Sequence, residues 1–226
     1  MDKLYMLHGF MGTGGSHFAE QIPFFRENYE VIALDLPGHG ASEIEANSPY
    51  FEGALEWVIA QIKERGKGYI LGLSLGASLA IHVGLKEPGL LKGMILTGYS
   101  PFIPNHLKDV MEKQYKYFSN IEENDPSITN QLKKLHGEKW YQTLKKVLYS
   151  QTYHYPSVSE ARLRDLQVPA IIANGSNDQH EVDAIQYVKK HSKDIKVALI
   201  PYAGHTANID SGGIYNLIVE EFLNHH

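Results

Sequence analysis

The chain has 226 residues, of which 43% are apolar and 21% charged, with a formal net charge of −5. That length and apolar content suit one α/β domain, alone or with an insertion, and the acidic balance advertises no face for a nucleic-acid backbone. There are no cysteines, which excludes disulfides, thiolate metal sites and a thiol nucleophile.

The first ten residues, MDKLYMLHGF, lack the charged, apolar, small-residue order of a secretory signal. No apolar run approaches the roughly 20 residues of a membrane helix. A cytoplasmic chain with neither a membrane nor a nucleic-acid partner is the expectation.

Short apolar runs alternate with amphipathic stretches, the rhythm of an α/β fold. Residues 4–7 read as a strand, 8–15 as a glycine-rich turn, and 16–26 as a helix capped by Ser16. A second strand, 31–34, ends in DLPGHG. Leu55, Val58, Ile59 and Ile62 recur at helical spacing before Gly66 stops the run. Strand 69–73, helix 75–86 and strand 91–97 follow, and then strand 170–174, helix 182–190, strand 195–200 and helix 214–223. The strands are continuously apolar, as in a parallel sheet covered on both faces. Residues 101–165 break the rhythm: they are polar, tyrosine-rich and helical in pattern. They read as a helical cap inserted into a core made of residues 1–100 and 166–226.

The strongest local signal is Gly72-Leu73-Ser74-Leu75-Gly76, which follows a strand and opens a helix. A nucleophilic serine there must sit on a strained turn, so the residues two before and two after crowd each other and must be small. The helix N-terminus beyond it favours negative charge. The plainer alternative is a glycine-rich turn with a capping serine. In His8-Gly9-Phe10-Met11-Gly12, a tight turn after the first strand can aim the Phe10 N–H at that elbow, where it pairs with the Leu75 N–H as an oxyanion hole. The absence of G-x-G-x-x-G speaks against a dinucleotide loop. Asp35 and His39 in DLPGHG take structural roles as turn residues.

A serine hydroxyl needs a base. Of the 12 histidines, His205 is best placed, just after the last strand, with His180 a weaker competitor. The base needs an acid to hold its tautomer. Asp178 follows the fifth strand directly, and Asp183 is the runner-up.

HGFMG, DLPGHGAS, GLSLGA, the GSND turn and the AGH turn together resemble the α/β-hydrolase superfamily, over the chain outside the cap. The resemblance implies a serine hydrolase with Ser74 as nucleophile, His205 as base, Asp178 as acid, and Phe10 and Leu75 as oxyanion donors. It implies no metal and no cofactor. HGFMG begins almost at residue one, so the superfamily's first two antiparallel strands are expected to be missing, leaving a reduced, all-parallel six-stranded sheet. The motifs look most like small carboxylesterases and the menaquinone-pathway synthase that eliminates pyruvate. The synthase's acidic substrate calls for arginines, and the cap carries only Arg162 and Arg164, so a small-molecule ester is the expected substrate. A lyase or carbon–carbon bond hydrolase with the same residues, and a non-catalytic receptor on the same fold, are the rivals. Among the cap aromatics, Tyr117 and Trp140 are expected to line the substrate pocket.

Overall fold

A computed structural model describes all of residues 1–226. Six strands form one sheet: β1 (Asp2–Leu7), β2 (Tyr29–Leu34), β3 (Gly68–Leu73), β4 (Leu91–Thr97), β5 (Ala170–Gly175) and β6 (Lys196–Ile200). Their order is β2-β1-β3-β4-β5-β6, and every pairing is parallel. The reduced, all-parallel α/β sheet read from the sequence is the one the chain adopts.

Alternation along the strands decides which helix covers which face. Tyr5, Leu7 and Ile70 belong to one buried cluster, under α3 (Tyr50–Arg65), α4 (Leu75–Lys86) and α10 (Gln179–His191). Leu4, Met6, Tyr69, Leu71 and Leu73 belong to the other, with Phe18, Phe25 and α12 (Gly212–Asn224). β3 is buried along its whole length, which is why it reads as an unbroken apolar run.

The helix expected over residues 16–26 is two pieces, α1 (Gly14–His17) and α2 (Gln21–Phe25). Pro23 is the reason. A proline is tolerated only in the first turn of a helix, so the helix restarts at Gln21 and Pro23 falls there. Thr13, not Ser16, caps the first piece, and the Ser16 hydroxyl accepts the Thr13 N–H in a reciprocal box.

Between β4 and β5 the chain is helical: α5 (Lys108–Ser119), α6 (Ile121–Asn124), α7 (Pro126–His136), α8 (Trp140–Tyr153) and α9 (Glu160–Arg164). Ile121, Leu132, Trp140 and Leu144 close a small core of their own around Met11. Polar bonds stitch these helices to the loops after β1 and β2. The His136 ring accepts the Gly40 N–H at Nδ1 (2.9 Å) and donates from Nε2 to the Met11 carbonyl (3.0 Å). Thr143 Oγ1 donates to Gly38 O at 3.0 Å and Lys146 Nζ to Ala46 O at 2.6 Å. No helix is long and apolar enough to cross a membrane.

The order β2-β1-β3 makes β1 and β3 neighbours from which the chain leaves toward opposite faces of the sheet. In open α/β sheets the crevice at the carboxyl ends of such a pair is where ligands bind. Here those ends carry the Phe10 turn and the Ser74 turn.

Candidate active site

Ser74 has φ 55° and ψ −111°, a left-handed conformation that costs a non-glycine residue of order 1–3 kcal/mol. The surroundings enforce it. A methyl group at Gly72 would overlap the Gly76 carbonyl, and one at Gly76 would overlap the Leu7 carbonyl at the end of β1. The Ser74 N–H is held by Thr97 O at 2.8 Å. The crowding expected of the two flanking glycines is therefore real, and it extends to β1 as well.

The turn after β1 lies against this elbow. A methyl at Gly9 would sit 3.3 Å from both Ser74 Cβ and Leu73 O. The turn is braced by two histidines. His8 is fully buried; its Nε2 accepts the Leu36 N–H at 3.0 Å, which leaves Nδ1–H to donate to Gly9 O at 2.8 Å. Burial pushes its pKa down to about 3, so the ring is neutral. His17 Nδ1 accepts the Gly9 N–H at 3.1 Å, and its ring fills the place where a Gly12 side chain would stand. Burial, with the nearby His205 and His136, keeps His17 neutral too. Leu75 is the first residue of α4, so its N–H has no intrahelical acceptor. Asp35 accepts the Gly14 and Ala41 N–H groups, both at 2.8 Å, in the structural role read from its turn.

His205 sits in the loop after β6. Gly204 N–H and Thr206 Oγ1 both donate to Asp210, which fixes the loop. On the other side Gly98, at φ 57°, leaves room for the ring: a methyl there would be 3.0 Å from His205 Cε1. His205 Nδ1 is 2.5 Å from Glu181 Oε1. Burial works against a charged His205, but the bond to Glu181 and its charge, with Asp178 and Asp210 adding, outweigh it and raise the pKa above the usual imidazole value.

The carboxylate bonded to His205 is thus Glu181, and not the Asp178 expected from the sequence. Asp178 lies nearby, but its Oδ1 accepts the N–H groups of His180 (3.0 Å) and Glu181 (3.3 Å) as the N-cap of α10. The residue on His205 is Glu181, which is 2% exposed. A signal for it was present: Asp178-x-x-Glu181 has the spacing of an N-cap and its third helical residue, which commits Asp178 to backbone N–H groups. Asn174 ties this corner together, bonding Tyr99 N and O and donating to Glu181 O at 3.3 Å. Asp183 bonds Gln179 on the exposed face of α10, away from His205.

Ser74, Phe10, His17, Asp178, His180, Glu181 and His205 line one cavity of about 680 Å³. Its remaining wall comes largely from α5, α8 and the turns beside them, including Leu107, Met111, Phe118, Leu148 and Tyr155. Tyr117 and Trp140, expected on this wall, are not part of it. Trp140 is 5% exposed inside the small core around Met11, and Tyr117 is turned outward with its ring edge on Phe118. Phe118 and Tyr155 are the aromatics of this segment that do face the cavity. Neither Arg162 nor Arg164 reaches it.

Comparison with known proteins agrees with this architecture. A model of the alpha/beta hydrolase family matches residues 4–214. The chain is 25% identical to the pimeloyl-[acyl-carrier protein] methyl ester esterase of Nitrosospira multiformis, covering 89% of this chain and 87% of that protein. It is 25% identical to the 2-succinyl-6-hydroxy-2,4-cyclohexadiene-1-carboxylate synthase of Pectobacterium atrosepticum, covering 98% and 94%. It matches the chloroplastic protein PHYLLO of Arabidopsis thaliana at 29% identity over 73% of this chain, and spans only 10% of that longer protein. Among solved structures, that of NosK from Streptomyces actuosus superimposes with a TM-score of 0.91 at 29% identity, covering 99% of this chain and 97% of that one.

Proposed function

Because this chain belongs to the alpha/beta hydrolase family, we propose that it is a serine hydrolase that cleaves a small carboxylic ester through an acyl-enzyme on Ser74. The observation that carries the reading is the strained Ser74 sharing one cavity with a His205 whose Nδ1 is bonded to a buried carboxylate. With Nδ1–H given to Glu181, the other ring nitrogen, Nε2, is left with a lone pair. His205 Nε2 takes the Ser74 proton as Oγ attacks the ester carbonyl, and the Glu181 charge stabilises the imidazolium that forms. The tetrahedral oxyanion is received by the N–H groups of Phe10 and Leu75. His205 then protonates the leaving alkoxide, and the sequence repeats with water to release the acid. Residues 101–165 act as the cap over a core of residues 1–100 and 166–226.

The test is labelling with a fluorophosphonate probe, together with turnover of short p-nitrophenyl esters. The wild type should label and Ser74→Ala should not, with ester turnover falling by at least ~10³. Full turnover by Ser74→Ala would end this assignment. The relative from Pectobacterium atrosepticum, matched over 98% of this chain, favours a second reading in which the same residues move protons in an elimination. Activity on acidic dienes, with none on esters, would select it.

A further inference from the structure

Resting on the hydrolase reading, we propose that His17 is a further catalytic residue: its Nε2–H is a third donor, beside the Phe10 and Leu75 N–H groups, to the oxygens of the tetrahedral intermediate on Ser74.

The backbone sets the tautomer. His17 Nδ1 accepts the Gly9 N–H at 3.1 Å. A ring nitrogen that accepts cannot carry the proton, which therefore sits on Nε2. Burial, with His205 and His136 nearby, keeps a second proton off the ring. His17 is thus a neutral donor and no competitor for the role of base. Its Nε2–H meets no acceptor in the protein, yet it is not sealed from solvent. The residue lines the cavity together with Ser74 and His205.

The ring is held beside the reacting centre. A methyl at Gly9 would lie 3.3 Å from Ser74 Cβ and 3.5 Å from His17 Cε1, so the nucleophile and the ring border the same point. That point is one residue before Phe10. On its other side the ring packs over Gly12, where a methyl would overlap it. The backbone is anchored as well. The Thr13 box closes the start of α1, and Nδ2 of the fully buried Asn208 donates to His17 O at 2.7 Å. Asn208 belongs to α11 (Ala207–Asp210), directly after the His205 loop, so one hydrogen bond registers His17 against the base. A preorganised donor gains most from an oxygen that becomes charged during the reaction. A neutral imidazole does this without placing a second positive charge beside His205, which would oppose its protonation.

Asparagine and glutamine divide the two ring nitrogens between them. In His17→Asn the amide oxygen stands at the Nδ1 position and still accepts the Gly9 N–H, while the Nε2 donor is gone. In His17→Gln the amide nitrogen stands at the Nε2 position, while the Nδ1 acceptor is gone. Steady-state kinetics on a p-nitrophenyl ester, and inhibition by an alkaneboronic acid that forms a tetrahedral adduct with Ser74, read the difference. His17→Asn should lose about 10²-fold in kcat, in kcat/KM and in boronate affinity, the share of one oxyanion donor. His17→Gln should keep all three within about tenfold. A residue that only braced the Gly9 turn would give the reverse order. Wild-type kcat in His17→Asn, or a His17→Gln no better than His17→Asn, overturns the proposal. An NMR spectrum of wild-type protein with isotope-labelled imidazole nitrogens should show His17 as the Nε2–H tautomer at neutral pH; the Nδ1–H tautomer or an imidazolium overturns the proposal without any variant. A wild type that takes up neither fluorophosphonate nor boronate would defeat the hydrolase reading and this role with it. Normal labelling with the reverse order of variants would defeat this proposal alone.

Discussion

Replacing Glu181 with glutamine keeps the length of the side chain and removes the charge opposite His205 Nδ1, 2.5 Å away. Two losses follow. A hydrogen bond to a charged group is worth about 1–2 kcal/mol more than a neutral one, a factor of roughly ten to thirty in stabilising the imidazolium. The new amide can also turn its NH2 toward Nδ1 and hold the ring in the opposite tautomer, whose Nε2 cannot accept the serine proton. In the serine-protease case a carboxylate-to-amide change of this kind costs about 10⁴ in kcat. The expected fall in kcat for Glu181→Gln is therefore about 10²–10⁴. Because Glu181 helps to raise the His205 pKa, its loss should also shift the acid limb of kcat/KM to lower pH. Asp178→Asn is the control. Asparagine caps helices as well as aspartate does, so α10 should start normally and kcat should drop only a few-fold, through the weaker charge effect on His205. Steady-state kinetics on a p-nitrophenyl ester from pH 5 to 9 measures all of this. A collapse of kcat in Asp178→Asn with near-normal kcat in Glu181→Gln would refute the assignment of Glu181.

Gly98→Ala should lower kcat with little change in KM, since the new methyl would stand 3.0 Å from His205 Cε1 and 2.7 Å from its carbonyl, at a backbone φ of 57° that alanine resists; an unchanged kcat would mean that the ring is free to give way. Trp140→Ala should cost about 3–5 kcal/mol in urea unfolding, because it empties the small core around Met11, and should leave acyl-chain preference as it was. A changed preference with unaltered stability would restore Trp140 to the pocket. Acid should weaken the fold before it strips the carboxylates. His8, His17, His39 and His136 all have pKa values lowered by burial, so the unfolded chain binds more protons than the native one below about pH 6.5. Their contribution is present at neutral pH and is lost as pH falls; for His8 the loss runs down to its folded value of about 3, at about 1.4 kcal/mol per unit. His205, with its raised pKa, pulls the other way but is one group against six, since burial lowers His82 and His180 as well. The urea midpoint should therefore drop between pH 7.5 and 5.5, and a flat profile would contradict the burial argument.

The strands and the Ser74 elbow were legible because their causes are local. A strand buried on both faces must be apolar throughout, and β3 is. A serine forced to φ 55° needs small neighbours two residues away on each side, and Gly72 and Gly76 supply them. The double helix start at Gly14 and Gln21 is equally local, but the helical pattern of 16–26 runs on through Pro23 and masks it. The acid partner was legible only in part. Position after β5 points to Asp178, and so does the family pattern; helix capping points away from it. The two constraints compete for one carboxylate, and the backbone N–H groups of α10 take it.

The segment between β4 and β5 resisted reading for a different reason. Its aromatic residues are equally suited to a pocket and to a helix–helix seam, and sequence spacing does not say which side of a helix the rest of the molecule will cover. α8 makes the point. Trp140, Leu144 and Val147 turn toward packed cores, Leu148 and Gln151 open onto the cavity, and Tyr149 and Tyr153 are left in solvent. What selects among these faces is a set of long-range polar anchors that no window of sequence contains: His136 to Gly40 and Met11, Thr143 to Gly38, Lys146 to Ala46. Those anchors all grip the glycine turns after β1 and β2, the same turns that brace the Ser74 elbow. The wall that selects the substrate is thus registered against the floor that performs the chemistry, so a change at His136 should alter acyl preference and kcat together, although the residue lies outside the cavity lining.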